Sequence, residues 1–267
     1  TATLQGNPPV VPVIRSYNRN TPPVNPLNAT RFLISPKSTV TLNSEEFLKS
    51  AGMDDLLQGM YVTDSDLVSV FLATDSGILR SYPWEDTEPD QFDHRTRAWF
   101  AGAKDTNGIY WSKPYVDSFG HGLVVTSSKA LETPYGAWVI GSDVRVDVIT
   151  REFLNTTLGG RGYAVLMDKN GDIISRPQLD AGDYPWDQPF PQDNVFTSPD
   201  PALRAAGKNM TEGRTGVERV QFNGVDTIVA YAPIPSQGWS VAVCLPVSVV
   251  TAPIDQTRAG IEESSRD

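Results

Sequence analysis

Charged groups of opposite sign lie in the middle of the chain, and their types suit the two ends of a small zwitterion. Arg97 can bind a carboxylate through two parallel hydrogen bonds from its planar guanidinium. Asp143, at the end of an apolar segment, and Asp117 can only accept hydrogen bonds, which suits a cation. A site for an α-amino acid needs paired hydrogen-bond donors for the carboxylate and acceptors for the ammonium group, in a pocket that excludes water. These residues therefore predict a small-molecule site.

Aromatic side chains flank these charges. Trp99 follows Arg97 by two residues and lies on the same side of the chain if the backbone there is extended. Its indole adds one hydrogen-bond donor. The candidate walls of the site are Phe92, Phe100 and Tyr115, whose ring faces attract a desolvated ammonium group by about 1 kcal/mol or more.

Each of these residues also has a structural alternative. Arg97 and Asp143 could form an ion pair with each other, and Trp99 and Phe100 could be core aromatics because most aromatic side chains pack in the interior. Asp117 could bond backbone amides of the turn that follows it. The residues by themselves leave these alternatives open.

Composition limits the classes of function. The net charge of -10 argues against nucleic acid and against an anionic membrane surface, because both need a basic face. Hydrophobic residues make up 39% of the 267, as in ordinary globular proteins, and this length predicts two modules rather than one core. The single cysteine, Cys244, lies in an apolar segment and predicts a small buried hydrophobe.

Signals for catalysis are missing from the sequence. The chain has two histidines, His94 and His121, which we interpret as surface or loop residues, and it carries no HExxH, G-x-S-x-G, P-loop or dinucleotide-binding pattern. The DKNGD segment at 168–172 lacks the downstream glutamate of a calcium loop and is better explained as a hairpin turn. We therefore expect no enzyme activity, no cofactor and no metal.

The N-terminal third predicts an arm, a short helix and a hairpin. Prolines dominate the first 27 residues and favour an extended arm, to which we assign residues 1–42. Asn43 as the N-cap, with Glu46 three residues later, indicates the start of a short helix. In residues 67–84, side chains alternate along two segments as they do in β-strands, and an Asp-Ser-Gly turn separates the segments. This pattern predicts a β-hairpin.

The rest of the chain contains an internal repeat. A β-meander over residues 108–145 is followed by a candidate connecting helix at 144–158 and by a second hairpin around an Asn-Gly turn. The segment 224–250 repeats the order of 123–149, which is a strand, a turn, a tryptophan and an apolar strand. Trp239 stands in the place of Trp138. The interval of about a hundred residues indicates duplicated domains. We expect modules at 43–150 and 151–252 and a C-terminal segment at 253–267.

Three consecutive segments resemble one known family. FDHRTRAWFAGAK, IYWSKPYVDSFG and VVTSSKALETPYGAWVIGSDVRV follow the motif order of the double Cache family of extracytoplasmic sensor domains, over about residues 67–250. The resemblance implies an α+β fold of two tandem Cache (PAS-like) modules. Each is an antiparallel sheet flanked by helices, with a long N-terminal helix before them. The membrane-distal module, here 43–150, is the one implied to hold the ligand.

One subgroup of that family binds amino acids and related amines, and its motif can be carried over by position. The matching positions are Phe92, Arg97, Trp99, Phe100, Tyr115 and Asp143, with Asp117 beside them. Phe92 departs from the pattern, which has a tyrosine there, so one polar contact is missing. The Pro-rich arm departs too, since the family has a long helix at this place.

The resemblance implies a ligand-sensing domain of a transmembrane receptor, located in the periplasm or outside the cell. Its expected partners are a small amino acid or amine and flanking transmembrane helices beyond this chain, and a homodimer of the full-length receptor is an open alternative. Two other functions stay open: a sensor for a small carboxylate, and an interaction module without a small ligand. The output domain could be a chemoreceptor, a histidine kinase or a cyclase.

Overall fold

The computed structural model describes residues 16–18, 20–25, 29–87, 89–149, 151, 162–222 and 224–251. These residues divide into two units by their contacts. The first contains the described residues up to Ser112, with Ser118–Gly120 and Thr126–Asp143. The second contains Lys113–Asp117, His121–Val125 and the described residues from Val144 onwards.

The larger sheet follows the strand order β1-β2-β4-β3-β8-β7-β5, and β6 pairs with β7 beside this path. Its strands are β1 (Ser16–Tyr17), β2 (Thr30–Ile34), β3 (Leu67–Thr74), β4 (Ile78–Tyr82), β5 (Tyr110–Trp111), β6 (Tyr115–Val116), β7 (Leu123–Thr133) and β8 (Gly136–Arg145). The predicted hairpin is present as β3 and β4, which pair antiparallel around the Asp-Ser-Gly turn.

Three helices accompany this sheet: α1 (Glu45–Ala51), α2 (Asp54–Tyr61) and α3 (Ala98–Asp105). The N-cap of α1 is Ser44, whose hydroxyl accepts a hydrogen bond from the Phe47 amide, one residue after the predicted cap. Alternate β3 residues Val70 and Leu72 are fully buried against Leu57 of α2. Helices α1 and α2 therefore cover one face of the sheet.

The N-terminal arm differs from our expectation. We assigned residues 1–42 to an extended arm, yet Thr30–Ile34 forms β2 and pairs antiparallel with β4. No proline lies between Pro26 and Pro36, so every residue of β2 has an amide hydrogen that can join the ladder. Phe32 packs edge-on against Phe47 of α1, with ring centroids 5.1 Å apart. The long N-terminal helix implied by the resemblance is not found among the described residues, where α1 and α2 are short.

The second unit contains one antiparallel sheet in the order β10-β9-β13-β12-β11 and one long helix. Its elements are β9 (Tyr163–Asp168), β10 (Ile173–Ser175), α4 (Pro201–Thr211), β11 (Gly216–Phe222), β12 (Val225–Ile234) and β13 (Trp239–Pro246). Met210 of α4 packs on Val229 and Cys244 of the sheet. Cys244 is buried, as predicted, and burial raises the pKa of its thiol to about 11.

The two sheets repeat one strand order. In each unit a hairpin is followed by a helix, a strand and a second hairpin, so β4-β3-β8-β7-β5 corresponds to β10-β9-β13-β12-β11. This agrees with duplicated modules and with the expected α+β class. Of the connecting helix expected at 144–158, residues 146–149 are helical and 144–145 belong to β8, whereas 150, 152–158 and the C-terminal segment 253–267 lie outside the described residues. No helix within the described part of the chain is long and apolar enough to cross a bilayer.

His94 is the clearest correction to the sequence interpretation, because it is fully buried rather than at the surface. Its Nε2 lies 2.8 Å from the Thr74 carbonyl oxygen, which can only accept, so Nε2 carries the proton. Its Nδ1 lies 3.1 Å from the Ser35 hydroxyl. Burial lowers the pKa of His94 to about 4, since the charged imidazolium loses its hydration there.

This buried histidine makes stability depend on pH in a defined window. Above pH 6.5 His94 is neutral in both the folded and the unfolded chain, so its contribution is complete. Between pH 6.5 and about 4 the unfolded chain binds a proton first, and we expect roughly 3 kcal/mol to be lost. The variant His94→Gln should be less stable at pH 7 but should show a flatter stability curve in this window. Chemical denaturation at several pH values measures the free energy of unfolding of both proteins. Equal slopes of this free energy against pH would contradict the role given to His94.

A buried ion pair ties the helices α1 and α2 to the sheet. The Arg80 side chain on β4 is fully buried, and its Nη1 lies 3.4 Å from Oδ1 of Asp54, which is 6% exposed. The same guanidinium donates to the Ser50 hydroxyl and to the Phe47 carbonyl oxygen, each at 2.8 Å. Burial works against the charge of Arg80 and lowers its pKa, while Asp54 raises it.

Removing one charge of this pair should be costly. Asp54→Asn leaves the buried guanidinium without its carboxylate, so we expect a loss of about 3–5 kcal/mol in the free energy of unfolding. The matched control is Glu45→Gln, which breaks the exposed pair of Glu45 with Lys49 and should change the free energy of unfolding far less, because solvent screens exposed charges. Urea denaturation of both variants tests this, and similar losses in the two would show that Asp54 is not needed to hold Arg80.

Candidate functional site

The face of the first sheet opposite α2 carries two of the predicted site residues, Asp143 and Trp99. Because side chains alternate along a strand, Ser69 and Phe71 of β3 point away from Val70 and Leu72, which pack on α2. A Cβ on Gly141 of β8 would lie 2.6 Å from the Phe71 ring, so Phe71 crosses β8 at this glycine. The open backbone at Gly141 therefore lets an aromatic side chain lie beside the end of β8.

Asp143 lies on this face, close to the end of β8, and is 6% exposed. Its Oδ2 accepts a hydrogen bond of 3.0 Å from the Ser69 hydroxyl on β3. Its Oδ1 accepts one of 2.6 Å from the Thr126 hydroxyl on β7. The carboxylate is thus held from both sides by neutral donors on the two neighbouring strands.

Trp99 lies on the same face. It belongs to the first turn of α3, and its ring centroid is 4.6 Å from that of Phe71. Its carbonyl oxygen accepts a 2.9 Å hydrogen bond from the Ser128 hydroxyl. Ser128 follows Thr126 by two residues on β7, so their side chains point to the same face. Phe71 follows Ser69 by two residues on β3, and the same holds for this pair. Two strands therefore place Trp99 and Asp143 on one face of the sheet.

Arg97 precedes α3 as its N-cap, with an extended backbone (φ -84°, ψ 143°), and its side chain is half-buried. Its carbonyl oxygen accepts from the Phe100 and Ala101 amides at 3.1 and 3.2 Å, which starts the helix. The extended geometry that we assumed from Arg97 to Trp99 is therefore wrong, because the helix begins between them. The two side chains flank a helix start instead of sharing one side of a strand.

The other two aromatic residues predicted for the site in the first unit, Phe92 and Phe100, are buried. Phe100 contacts the His94 ring at 5.2 Å and the Trp99 ring at 5.9 Å. Phe92 packs edge-on against Phe119, with centroids 5.4 Å apart. The contacts of Phe100 with Trp99 and His94 are of the kind that the structural alternative predicted for Trp99 and Phe100. That Phe92, Phe100 and Trp99 contact a ligand stays a prediction.

Tyr115 and Asp117 belong to the second unit. Tyr115 is half-buried and pairs with Val124 in the ladder of β6 and β7. Asp117 is buried, and its Oδ2 accepts from the His121 amide at 3.2 Å and lies 2.6 Å from His121 Nδ1. Asp117 thus bonds a backbone amide of the turn that follows it, as its structural alternative predicted. The part of both residues in a ligand site stays a prediction.

Sequence reasoning missed the two hydroxyls that hold Asp143. Their signal was a small hydroxyl residue inside an otherwise apolar strand: Ser69 in LVSVFL and Thr126 in LVVTSS. Alternation alone could not separate Thr126 from the neighbouring Ser127. The structure separates them, because the Ser127 hydroxyl bonds Ser142 at 3.0 Å on the other face.

The duplication gives an internal comparison for this group. Asp143 stands five residues after Trp138, and Cys244 stands five residues after Trp239. In the second sheet the register partners of Cys244 are Tyr163 on β9 and Val229 on β12. The burial of Tyr163 raises the pKa of its phenol. The ionic group at the centre of the first sheet is therefore replaced by a neutral one in the second.

Comparisons with known proteins agree with this architecture. A family model described as dCache_1, Cache domain, matches residues 30–254. The methyl-accepting chemotaxis protein McpG of Pseudomonas putida is 26% identical over 192 residues, which cover 71% of this chain and 28% of that protein. The chain thus spans less than a third of the length of this curated relative.

Solved structures show the same fold. The ligand-binding domain of the Pseudomonas fluorescens chemoreceptor CtaA in complex with L-serine has a TM-score of 0.53 and 20% identity, covering 74% of this chain and 80% of that one. The extracellular domain of the histidine kinase mmHK1S-Z3 has a TM-score of 0.56 and 14% identity, covering 78% and 82%. The family match, the repeated strand order and the ordered motifs agree with one another. The chain belongs to the double Cache family, the extracytoplasmic sensor domains of chemoreceptors and histidine kinases.

Proposed function

We propose that this chain is the ligand-sensing part of a transmembrane receptor and that its first unit binds a small amino acid by its ammonium and carboxylate groups. The observation that carries the proposal is the buried carboxylate of Asp143, held by two hydroxyls on the sheet face that also bears Trp99. In this proposal the domain binds its ligand without converting it.

The chemistry of Asp143 favours a cationic group. An ionised carboxylate away from water is costly unless hydrogen bonds and a counter-charge compensate it. The hydroxyls of Ser69 and Thr126 supply hydrogen bonds but no charge. A ligand ammonium brings a positive charge and three donors, and a carboxylate can accept such donors beside the two hydroxyls. Because Cys244 occupies the corresponding place in the second unit, the same argument does not extend to that sheet.

Arg97 is the proposed partner of the ligand carboxylate. Its guanidinium can bind a carboxylate through two parallel hydrogen bonds, and its position at the start of α3 adds the positive end of the helix dipole. The motif also names Tyr115 and Asp117, whose part in ligand binding stays a prediction. Phe92 lacks the hydroxyl of the motif and contributes an apolar wall.

The relatives support this class of ligand. The CtaA domain, which shares the fold, was solved in complex with L-serine. McpG is a chemotaxis protein, of which this chain spans 28%. The parts that would carry the output lie in the remainder of such a protein. A ligand acts on them only through the difference in its affinity for two conformations of the sensor.

Thermal melting in a panel of compounds tests the proposal. The panel contains L-amino acids, primary amines and small carboxylates, and a compound that binds the folded state alone raises the melting temperature. We expect a shift with at least one amino acid. We expect Arg97→Ala and Asp143→Asn each to abolish it. The matched controls are Arg219→Ala and Asp226→Asn, which break an exposed ion pair in the second unit and should leave the shift unchanged.

Three outcomes would contradict parts of this proposal. A wild-type protein that responds to none of the compounds would favour an interaction module without a small ligand. A shift with carboxylates alone would favour the small-carboxylate alternative. A shift that survives in both Arg97→Ala and Asp143→Asn would mean that these residues serve the structure, for example as an ion pair with each other.

A further inference from the structure

We infer that His94 is a positioning residue of the proposed site: its imidazole, fixed to the turn between β3 and β4, sets the orientation of the Trp99 ring and thereby the affinity for the ligand. This inference rests on the proposed function, which places Trp99 beside the ligand. Position 94 is not among the motif positions of the amino-acid-binding subgroup. All residues that carry the argument belong to the first unit.

The imidazole of His94 is held at both of its nitrogens. Its Nε2 donates to the Thr74 carbonyl oxygen at 2.8 Å, and its Nδ1 lies 3.1 Å from the Ser35 hydroxyl. The ring cannot flip without losing both contacts, because a flip puts carbon atoms in the places of the two nitrogens. His94 and Thr74 are fully buried and Ser35 is 5% exposed, so water does not compete for these contacts.

Both partners of the imidazole are tied to the turn that joins β3 to β4. Thr74 ends β3, and its hydroxyl accepts from the Ile78 amide at 3.0 Å across the turn. The Ser35 amide donates to the Gly77 carbonyl oxygen at 2.8 Å. The turn is therefore closed by its own hydrogen bonds, and His94 is fixed to a rigid element.

The fixed imidazole lies against the Trp99 ring. The two rings are stacked, with centroids 6.3 Å apart and an angle of 20° between their planes. Phe71 contacts the same indole at 4.6 Å, with the planes inclined by 51°. Offset stacking is a preferred geometry of aromatic pairs, so the His94 ring favours one orientation of the indole. The backbone of Trp99 is held separately, by the hydrogen bond from Ser128 to its carbonyl oxygen.

The helix that carries Trp99 is fixed to the same turn near its other end. Lys104, in the last turn of α3, pairs with Asp75 at 2.5 Å. Both charged groups are partly exposed, so solvent weakens this pair. His94 precedes α3, and its carbonyl oxygen accepts from the Arg97 amide at 2.9 Å. The buried connection from the turn to the start of α3 is therefore the one through His94.

Two substitutions separate the ring of His94 from its hydrogen bonds. His94→Gln keeps an amide that can donate to the Thr74 carbonyl oxygen but removes the ring. His94→Phe keeps a ring against Trp99 and removes both polar contacts. The Thr74 carbonyl oxygen also accepts from the Gly77 amide at 3.1 Å, so it keeps a partner in His94→Phe. We expect both variants to lose stability, whereas only the loss of the ring should change the orientation of Trp99.

The first readout requires no ligand. In ¹⁵N-labelled protein, the indole N–H resonance of Trp99, assigned by its absence in Trp99→Phe, reports the surroundings of the ring. We expect His94→Gln to broaden or split this resonance, because the indole then samples more than one orientation. His94→Phe should give a single sharp resonance. The indole resonances of the other tryptophans should stay as in the wild type.

The second readout is affinity, measured by calorimetric titration with L-serine and L-alanine at a temperature at which every variant is folded. We expect His94→Gln to weaken binding by roughly three- to tenfold, the factor that corresponds to the loss of one aromatic pair. His94→Phe should bind within about twofold of the wild type, since the ring remains.

The matched control is Ser50→Ala. It removes a fully buried hydroxyl on α1, which covers the opposite face of the sheet and accepts from the Arg80 guanidinium there. We expect this variant to lose stability, as the His94 variants do, but to keep the Trp99 resonance and the affinity of the wild type.

The outcomes separate the inference from the proposed function. A wild type that binds neither amino acid overturns the proposed function and this inference with it. A wild type that binds overturns the inference alone if His94→Gln keeps its affinity or its Trp99 resonance. The inference also fails if His94→Phe or Ser50→Ala binds as weakly as His94→Gln, because lost stability and not the lost ring would then explain the effect.

Discussion

The free-energy cost of burying a carboxylate is the constraint on which the first unit depends. Asp143 is almost fully buried, and an ion in that position needs hydrogen-bond donors that the backbone of a sheet cannot spare. The strand order supplies them, because β8 lies between β3 and β7 and each neighbour presents one hydroxyl, from Ser69 and Thr126. A different neighbour on either side would leave one oxygen without its donor.

Packing on both faces of the sheet fixes the surroundings of this carboxylate. The opposite face of the sheet is filled by α1 and α2, which the buried guanidinium of Arg80 ties to β4. On the site face, His94 is wedged against Trp99 and Phe100 and bonded to the end of β3. Motion of the carboxylate relative to the start of α3 would disturb these contacts, so the candidate binding groups are held before any ligand arrives.

Local patterns predicted much of the fold, and long-range contacts account for what they missed. The hairpin of β3 and β4 and the hairpin of β9 and β10 follow from alternation and turn residues close in the chain. The motif positions named Asp143 but not Ser69, which is 74 residues away in sequence and approaches it only when β3 pairs beside β8. His94 was misjudged for the same reason, because its bond to Ser35 spans 59 residues.

The duplication shows how one strand order can carry two different centres. In the second unit Cys244 and Val229 pair where the first unit pairs Asp143 with Thr126, and the helix α4 packs on that apolar centre through Met210. Burying a neutral group costs less desolvation free energy than burying an ionised one, and it requires no counter-charge. The residues at the centre, and not the strand order, therefore decide whether a unit of this fold buries a carboxyl group or a neutral one.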